Sequence, residues 1–394
     1  MLPSRLRQPR RAPLTKRYHH TMPAMTSRDQ IFRNIHSAIT SWEATTDPLS
    51  WPATRFASLA RELFAYQYQT NAAYRTLCTN RGVAPADDLD LNLIPAVPTD
   101  AFKVLDLFHG PSIARTFRTS GTTQGQRGQH HFATLELYRA SLHPTFERFC
   151  NPSQQALRLI VLAPSPDDLP DSSLSFMLGE LMERWGSPES TFVIGLRDNA
   201  WHLDLAALEH ALDQAEQDDT PTMLLGTAFG YVELLDRTTR SWRLPPGSRL
   251  METGGFKGRS RTLDKADLYG LFEERLGVPA QRCISEYSMT ELSSQTYTDA
   301  LNGPDATGRL AAPPWLQLSV VDPLTLQPLT APGATGLIRF IDLANLDSVL
   351  AIQTSDRGTL YPDGTLELLG RAPEAELRGC SLTIEEIAEG LDPR

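Results

Sequence analysis

The chain has 394 residues, of which 41% are hydrophobic and 21% charged, and its formal net charge is −10 at pH 7. That length can hold two or three structural units around a large core, and the acidic balance excludes general electrostatic attraction to nucleic acid or to an anionic membrane. No apolar run reaches the roughly eighteen residues needed to span a bilayer, and the four dispersed cysteines, Cys78, Cys150, Cys283 and Cys380, have no metal-ligand spacing and suit the reduced thiols of a cytoplasm.

In chain order, residues 1–26 are basic and interrupted by proline, with Arg5, Arg7, Arg10, Arg11, Lys16 and Arg17 and no apolar centre. They read as a disordered extension or an over-long start, with Met22 or Met25 as the initiator. From Ser27 a capped helical pattern places Ile31, Ile35, Ile39 and Trp42 on one face, and a second pattern does the same for Phe56, Leu59, Leu63 and Tyr66. Apolar runs of strand length follow at Leu157–Ala163, Thr191–Leu196, Thr222–Leu225, Ser248–Thr253 and Arg282–Glu286. Helical segments alternate with them, notably Ala228–Leu235 and Leu263–Leu276, and this predicts an α/β body over residues 27–312 built on a mainly parallel, helix-covered sheet. After Pro313 the chain changes to short strands at Leu316–Val321, Gly336–Leu343, Val349–Thr354 and Thr365–Leu369, separated by Pro, Gly and Asp. Residues 313–371 are therefore expected as a small barrel-like β subdomain, followed by a short C-terminal segment over 372–394.

The densest chemical signal is Arg118-Thr-Ser-Gly-Thr-Thr-Gln-Gly-Gln-Arg-Gly128. Gly121 and Gly125 let backbone N–H groups approach phosphate oxygens, while Thr119, Ser120, Thr122 and Thr123 add hydroxyl donors of little bulk. The run lacks the terminal Gly-Lys-Ser/Thr of a P-loop. Taken alone, it also fits a surface turn rich in Ser, Thr and Gly. Four later segments join it: Met251-Glu-Thr-Gly-Gly-Phe-Lys257, Ser285-Glu-Tyr-Ser-Met-Thr-Glu291, Gln353-Thr-Ser-Asp-Arg-Gly358 and Gly370-Arg371. Alone, Met251–Lys257 reads equally as a simple strand-end turn, and Asp356 or Arg371 reads more often as a solvated turn residue.

In order and rough spacing, the five segments resemble the motifs of adenylate-forming enzymes, namely (S/T)SGTTGxPxG, a glycine pair at a strand end, YGxTE, TGD and GR. The resemblance implies the N-terminal body of such an enzyme, with ATP and Mg²⁺ as cofactors. Gly254 and Gly255 would lie along an adenine edge and Tyr287 against its face. Thr290 would meet the α-phosphate and Glu291 would hold the metal. Asp356 would accept hydrogen bonds from the ribose hydroxyls, and Arg371 would reach ribose or phosphate. Ser288 stands where the family pattern has glycine.

Within that superfamily the chain is similar to the acyl-protein synthetase of the bacterial bioluminescence fatty-acid reductase complex. The likeness runs through IPAVPTDAFK, LLGTAFGYVELL, TGGFKGR, APPWLQLSVVDPLTLQPL and RGCSLTIEEI. It implies activation of a carboxylic acid, with a fatty acyl chain favoured, as acyl-AMP. It also implies transfer to a partner protein such as a reductase or acyltransferase, with no part for nucleic acid. Cys380 stands where that synthetase carries its acylated cysteine, and Arg378 with a helix starting near Thr383 would lower its thiol pKa. The chain ends about two dozen residues after Arg371, whereas an ordinary synthetase continues into a mobile domain of roughly a hundred residues that carries a lysine for adenylation. That domain is expected to be largely absent, with Lys257 and Arg127 as stand-ins for the lysine. An alternative keeps the adenylation and passes the acyl group to a small amine or a carrier thiol. Phe229, Tyr231 and Val232 fit either an acyl pocket or the core.

Overall fold

The computed structural model describes residues 27–44, 46, 48–120, 126–198, 200–254, 265–301, 308–373, 383–384 and 387. Three helices open the chain: α1 (Arg28–Thr40), α2 (Ala53–Thr70) and α3 (Ala72–Asn80). Ser27 caps α1 by accepting from the Gln30 N–H, and Ile31, Ile35 and Ile39 are buried along one face as their spacing requires. Strand β1 (Val97–Pro98) and the hairpin of β2 (Arg115–Arg118) and β3 (Gln129–Phe132) follow, then α4 (Glu136–Phe149).

The alternating region holds β4 (Arg158–Pro164), α5 (Ser173–Trp185), β5 (Thr191–Arg197), β6 (Ala200–Leu203) and α6 (Leu205–Gln217). It continues through β7 (Thr222–Thr227), α7 (Ala228–Arg237), β8 (Arg249–Thr253), α8 (Lys265–Leu276) and β9 (Cys283–Tyr287). The chain then turns to strands: β10 (Thr296–Thr298), β11 (Leu310–Ala311), β12 (Leu316–Val321), β13 (Ala334–Asp342), β14 (Ala351–Leu360) and β15 (Leu366–Arg371).

Among the described residues one thirteen-stranded sheet runs β12-β13-β14-β15-β11-β10-β9-β8-β7-β4-β5-β6, with β1 paired to β14. Neighbours from β9 to β5 are parallel, and those from β9 to β12 are antiparallel. The strands expected as a barrel-like unit thus form an antiparallel wing of the main sheet. The short β11 joins them to it by pairing with both β15 and β10, and the ladder stays open between β12 and β6.

Parallel strands need both faces covered, and β4 meets that need by alternation. Leu159, Val161 and Ala163 pack under α4 and α5, while Ile160 and Leu162 pack under α6, α7 and α8. Each such fully buried aliphatic side chain contributes about 1.5–3 kcal/mol relative to exposure. Within Leu224-Leu-Gly-Thr-Ala-Phe-Gly-Tyr231 the glycines serve close packing, because a Cβ on Gly226 would sit 2.8 Å from the Leu162 Cβ and one on Gly230 2.9 Å from the Leu162 carbonyl oxygen. Tyr231 is core: it is fully buried, donates to the Met251 carbonyl at 3.0 Å and packs on Phe272. No helix among the described residues is long and apolar enough to cross a membrane.

Candidate active site

The predicted residues converge where the sheet changes from parallel to antiparallel, at the carboxyl ends of β8 and β9, the place where open α/β sheets bind ligands. Antiparallel register sets Asp356 of β14 directly opposite Arg371 of β15. Tyr287, the last residue of β9, donates its phenol to Asp356 Oδ2 at 2.8 Å. Arg371 Nε lies 3.7 Å from the other carboxylate oxygen, and its side chain is 74% exposed. One Asp356 oxygen is thus held by Tyr287, while the other lies beside the largely exposed Arg371. Gly254 follows β8 with φ +71°, a conformation that favours glycine.

Thr290 and Glu291 lie on the segment between β9 and β10, and buried hydrogen bonds hold that segment from behind. The Thr290 carbonyl accepts from His130 Nδ1 at 2.8 Å, which requires the proton on Nδ1, so Nε2 accepts from the Ser348 hydroxyl at 2.9 Å. Burial pushes the His130 pKa down to about 4, so the ring is neutral and the tautomer defined. Asp342, wholly buried, accepts from the Ser293 and Ser294 N–H groups, both at 2.9 Å, and from the Ser294 hydroxyl at 2.7 Å. Asn345 Nδ2 donates to the Glu291 carbonyl at 2.8 Å, and Gln67 of α2 in turn donates to the Asn345 carbonyl at 2.7 Å. The indole of Trp315, from the Pro-Pro-Trp motif, donates to Ser141 at 2.7 Å, and Ser141 donates to Ser294 at 2.9 Å.

The held segment carries the hydroxyl of Thr290 and the carboxyl of Glu291. Thr290 Oγ1 is 3.4 Å from the Ser173 hydroxyl at the start of α5. Glu291 is only 6% exposed, and burial is the main cause that pushes its pKa up to about 7. The charges of Lys103 and Arg371 oppose that shift, yet Lys103 is paired with Asp100 and Arg371 faces Asp356. Among the described residues, the Glu291 carboxyl is therefore buried without a paired cation.

At the glycine loop the structure describes the two ends. Thr119 N–H donates to the Gly128 carbonyl at 2.9 Å, and Gly128 N–H returns a bond to Thr119 Oγ1 at 2.8 Å. Arg127 donates to the Thr119 carbonyl at 2.7 Å and pairs with Asp171 at 2.9 Å, so it clamps the loop base. Ser120 is exposed at the mouth. Gly121, Thr122, Thr123, Gly125, Gly255, Lys257 and Cys380 lie outside the described residues. Beyond Cys380, Thr383, Ile384 and Ile387 are helical, Thr383 and Ile387 are buried, and Arg81 at the end of α3 donates to Thr383 Oγ1 at 3.1 Å. The other three cysteines are buried, and burial raises each thiol pKa, that of Cys283 to about 12, so none is poised as a thiolate nucleophile.

Sequence reasoning did not single out His130, Asp342, Asn345 or Gln67. The one available signal was alternation in Gln129-His-His-Phe132, which buries His130 with Phe132.

Two curated long-chain-fatty-acid–luciferin-component ligases are similar to this chain. That of Aliivibrio fischeri is 25% identical over 351 residues, spanning 84% of this chain and 88% of the relative. That of Vibrio harveyi is 21% identical over 343 residues, spanning 83% and 86%. Among solved structures, ATP-bound MatB from Rhodopseudomonas palustris aligns with a TM-score of 0.48 and 17% identity over 68% of this chain and 49% of its own. A long-chain-fatty-acid-CoA ligase from Archaeoglobus fulgidus aligns with a TM-score of 0.47 and 16% identity over 70% and 54%. The chain thus spans about half the length of those solved chains. The family model for acyl-protein synthetase, LuxE, matches residues 36–388, and the chain belongs to that family of ligases.

Proposed function

We propose that the protein uses ATP to activate a carboxylic acid, with a fatty acyl chain favoured, as acyl-AMP, that Cys380 takes the acyl group as a thioester, and that a partner reductase or acyltransferase receives it. The observation that carries this reading is the convergence of Tyr287, Asp356 and Arg371 beside a rigidly held Thr290 and a buried Glu291 that has no cation partner among the described residues. Asp356 orients the ribose through the oxygen that Tyr287 does not hold, and Arg371 turns from it onto ribose or phosphate. Thr290 donates to the α-phosphate as the acid's carboxylate oxygen attacks phosphorus and pyrophosphate leaves with the bonding pair.

Glu291 fits a magnesium ligand, since a dication would offset the charge that burial disfavours. Among the described residues no three His, Cys, Asp or Glu cluster as a metal cage, so phosphate oxygens and water would complete the shell. Mg²⁺ held there supplies neutralisation of the charge that gathers on the departing phosphates. In the second half-reaction the Cys380 thiolate attacks the acyl carbonyl, the mixed anhydride breaks and AMP leaves. Relatives named as ligases of long-chain fatty acids support the acyl class.

The test is Cys380→Ala with ATP and a radiolabelled fatty acid. Wild type should keep a hydroxylamine-sensitive label after denaturation, while the variant should make acyl-AMP and carry none. A labelled alanine variant, or an unlabelled wild type across a broad acid panel, would favour transfer to a small amine or a carrier thiol instead.

A further inference from the structure

Strand β1 pairs in parallel with β14, Val97 against Ile352 and Pro98 against Gln353. The chain beyond Pro98 therefore runs towards the same end of the sheet as Asp356, and there it forms a single 3₁₀ turn, Thr99–Lys103. That turn buries Ala101 and Phe102 and leaves Asp100 and Lys103 half-exposed, joined at 2.6 Å.

Two contacts fix the turn between the glycine loop and the Thr290–Glu291 segment. The peptide that joins Phe102 to Lys103 lies against the loop base, since a Cβ on Gly128 would sit 3.5 Å from the Phe102 carbonyl carbon. Gly128 is the residue that exchanges hydrogen bonds with Thr119. The Phe102 ring packs edge-on against His130 at 5.5 Å between centroids, and His130 holds the Thr290 carbonyl. Lys103 follows directly, near enough for its charge to act on Glu291, as that of Asp100 does.

The cations around this site differ in what holds them. Arg127 is committed to the Thr119 carbonyl and to Asp171, and Arg371 lies beside Asp356. Lys103 has a solvent-exposed partner three residues away, and such a pair is weakly held. Its four-carbon stem lets the ammonium leave Asp100 for a more strongly charged anion, and its three donors suit phosphate oxygens. In adenylation the acid's oxygen bonds to the α-phosphorus, the bond to the bridging oxygen breaks, and the electron pair departs with pyrophosphate. An ammonium placed between the glycine loop and Glu291 offsets the charge that gathers there, and it keeps its own proton throughout.

We infer that Lys103 is a catalytic residue that grips the terminal phosphates of ATP and stabilises the departing pyrophosphate. The inference rests on the adenylation reading and adds to it a cation from the turn that follows β1.

The experiment compares the full chain with Lys103→Met and Lys103→Arg, measuring calorimetric affinity for ATP and for AMP in the presence of Mg²⁺ and the rate of acid-dependent pyrophosphate release. Lys103→Met should bind ATP about tenfold more weakly and release pyrophosphate about a hundredfold more slowly at saturating ATP, with AMP affinity unchanged because AMP lacks the terminal phosphates. Lys103→Arg should restore most of both, since it keeps the charge. Unchanged ATP affinity and rate in Lys103→Met overturn the inference. So does an equal loss of affinity for ATP and AMP, the result of an ion pair with Asp100 that serves only the structure. A fall in affinity without a fall in rate would deny the stabilisation of pyrophosphate. If wild type binds ATP but releases no acid-dependent pyrophosphate, the adenylation reading fails, and the affinity comparison still decides whether Lys103 holds phosphate. A wild type that binds no ATP overturns both.

Discussion

The two wings of the sheet are held together by different forces. In the parallel wing, β4 buries Leu159, Ile160, Val161, Leu162 and Ala163 on alternating faces, and its one buried cation, Arg158, reaches outward to Asp218. In the antiparallel wing, Arg339, Asp342, Gln353 and Thr354 are buried polar residues whose bonds run to distant parts of the chain, Arg339 to the carbonyls of Leu91 and Asn92 and Asp342 to Ser293 and Ser294. Hydrophobic burial is non-directional, so it brings strand ends together without orienting a side chain. Hydrogen bonds are directional, and they aim Thr290, Glu291 and Asp356. The parallel wing therefore sets where the site lies, and the antiparallel wing sets which way its groups point.

Asp342→Ala is the harshest test of that division, because it leaves several buried donors unpaired. We expect a loss of about 3–5 kcal/mol of stability by urea unfolding, together with loss of acid-dependent pyrophosphate release. An active variant of near-normal stability would deny the network its orienting part.

The pH dependence of stability comes next in size. Burial pushes the Glu286 pKa up from 4.5 to about 7, opposed by Thr253 and Ser288 and reinforced by Glu252, while Tyr138 and Tyr297 face it from α4 and β10. The folded state therefore binds a proton more readily than the unfolded state, and the contribution falls as pH rises from about 4.5 to 7, by about 3 kcal/mol in all. Glu286→Gln should reduce the slope of the stability–pH curve across that window, leaving the part that Glu291 contributes. Parallel curves for the two proteins would show that Glu286 does not titrate there.

Glu291→Gln separates activity from folding within the same segment. It should slow acid-dependent pyrophosphate release by about thirty- to a hundredfold, or about 2–3 kcal/mol, with the unfolding midpoint at neutral pH unchanged or raised, since burial disfavours the Glu291 charge. Near-normal turnover would remove Glu291 from the site. Asp356→Ala should act more gently and chiefly on affinity, raising the apparent KM for ATP about tenfold with a smaller effect on bound turnover, since ribose contacts persist from ground state to transition state. Unchanged nucleotide affinity in a titration would end the ribose assignment.

The mildest variant probes the other wing. Ile160→Val should cost about 1 kcal/mol of stability and leave KM and kcat as they were. Altered kinetics in the absence of unfolding would mean that the parallel wing also orients the site.

Much of the fold was legible because its elements announce themselves locally. The run Leu157–Ala163 is too apolar and too short to be anything but a buried strand between helices, and it became β4 within a residue. The segment Leu316–Val321 matched β12 at both ends. Tyr287, Thr290, Glu291, Asp356 and Arg371 were recognisable as a set by motif order, and the structure brings them to one end of the sheet. The supports behind them were not legible. His130, Asp342 and Asn345 are polar letters at strand ends or turns, where a solvated residue reads the same, and Glu286 looks like any carboxylate beside a motif tyrosine.

The amino-acid sequence by itself determined the alternation of strands and helices, the buried faces and the choice of candidate site residues, because propensity, periodicity and motif chemistry are short-range properties. Only the tertiary structure decided that Tyr287 and Asp356, 69 residues apart, share a hydrogen bond. It also decided that the final strands join the parallel body through β11 and that Glu291 is buried without a cation partner among the described residues. Those facts depend on which strands become neighbours and which polar groups lose water together, and both are set by the pairing of distant segments.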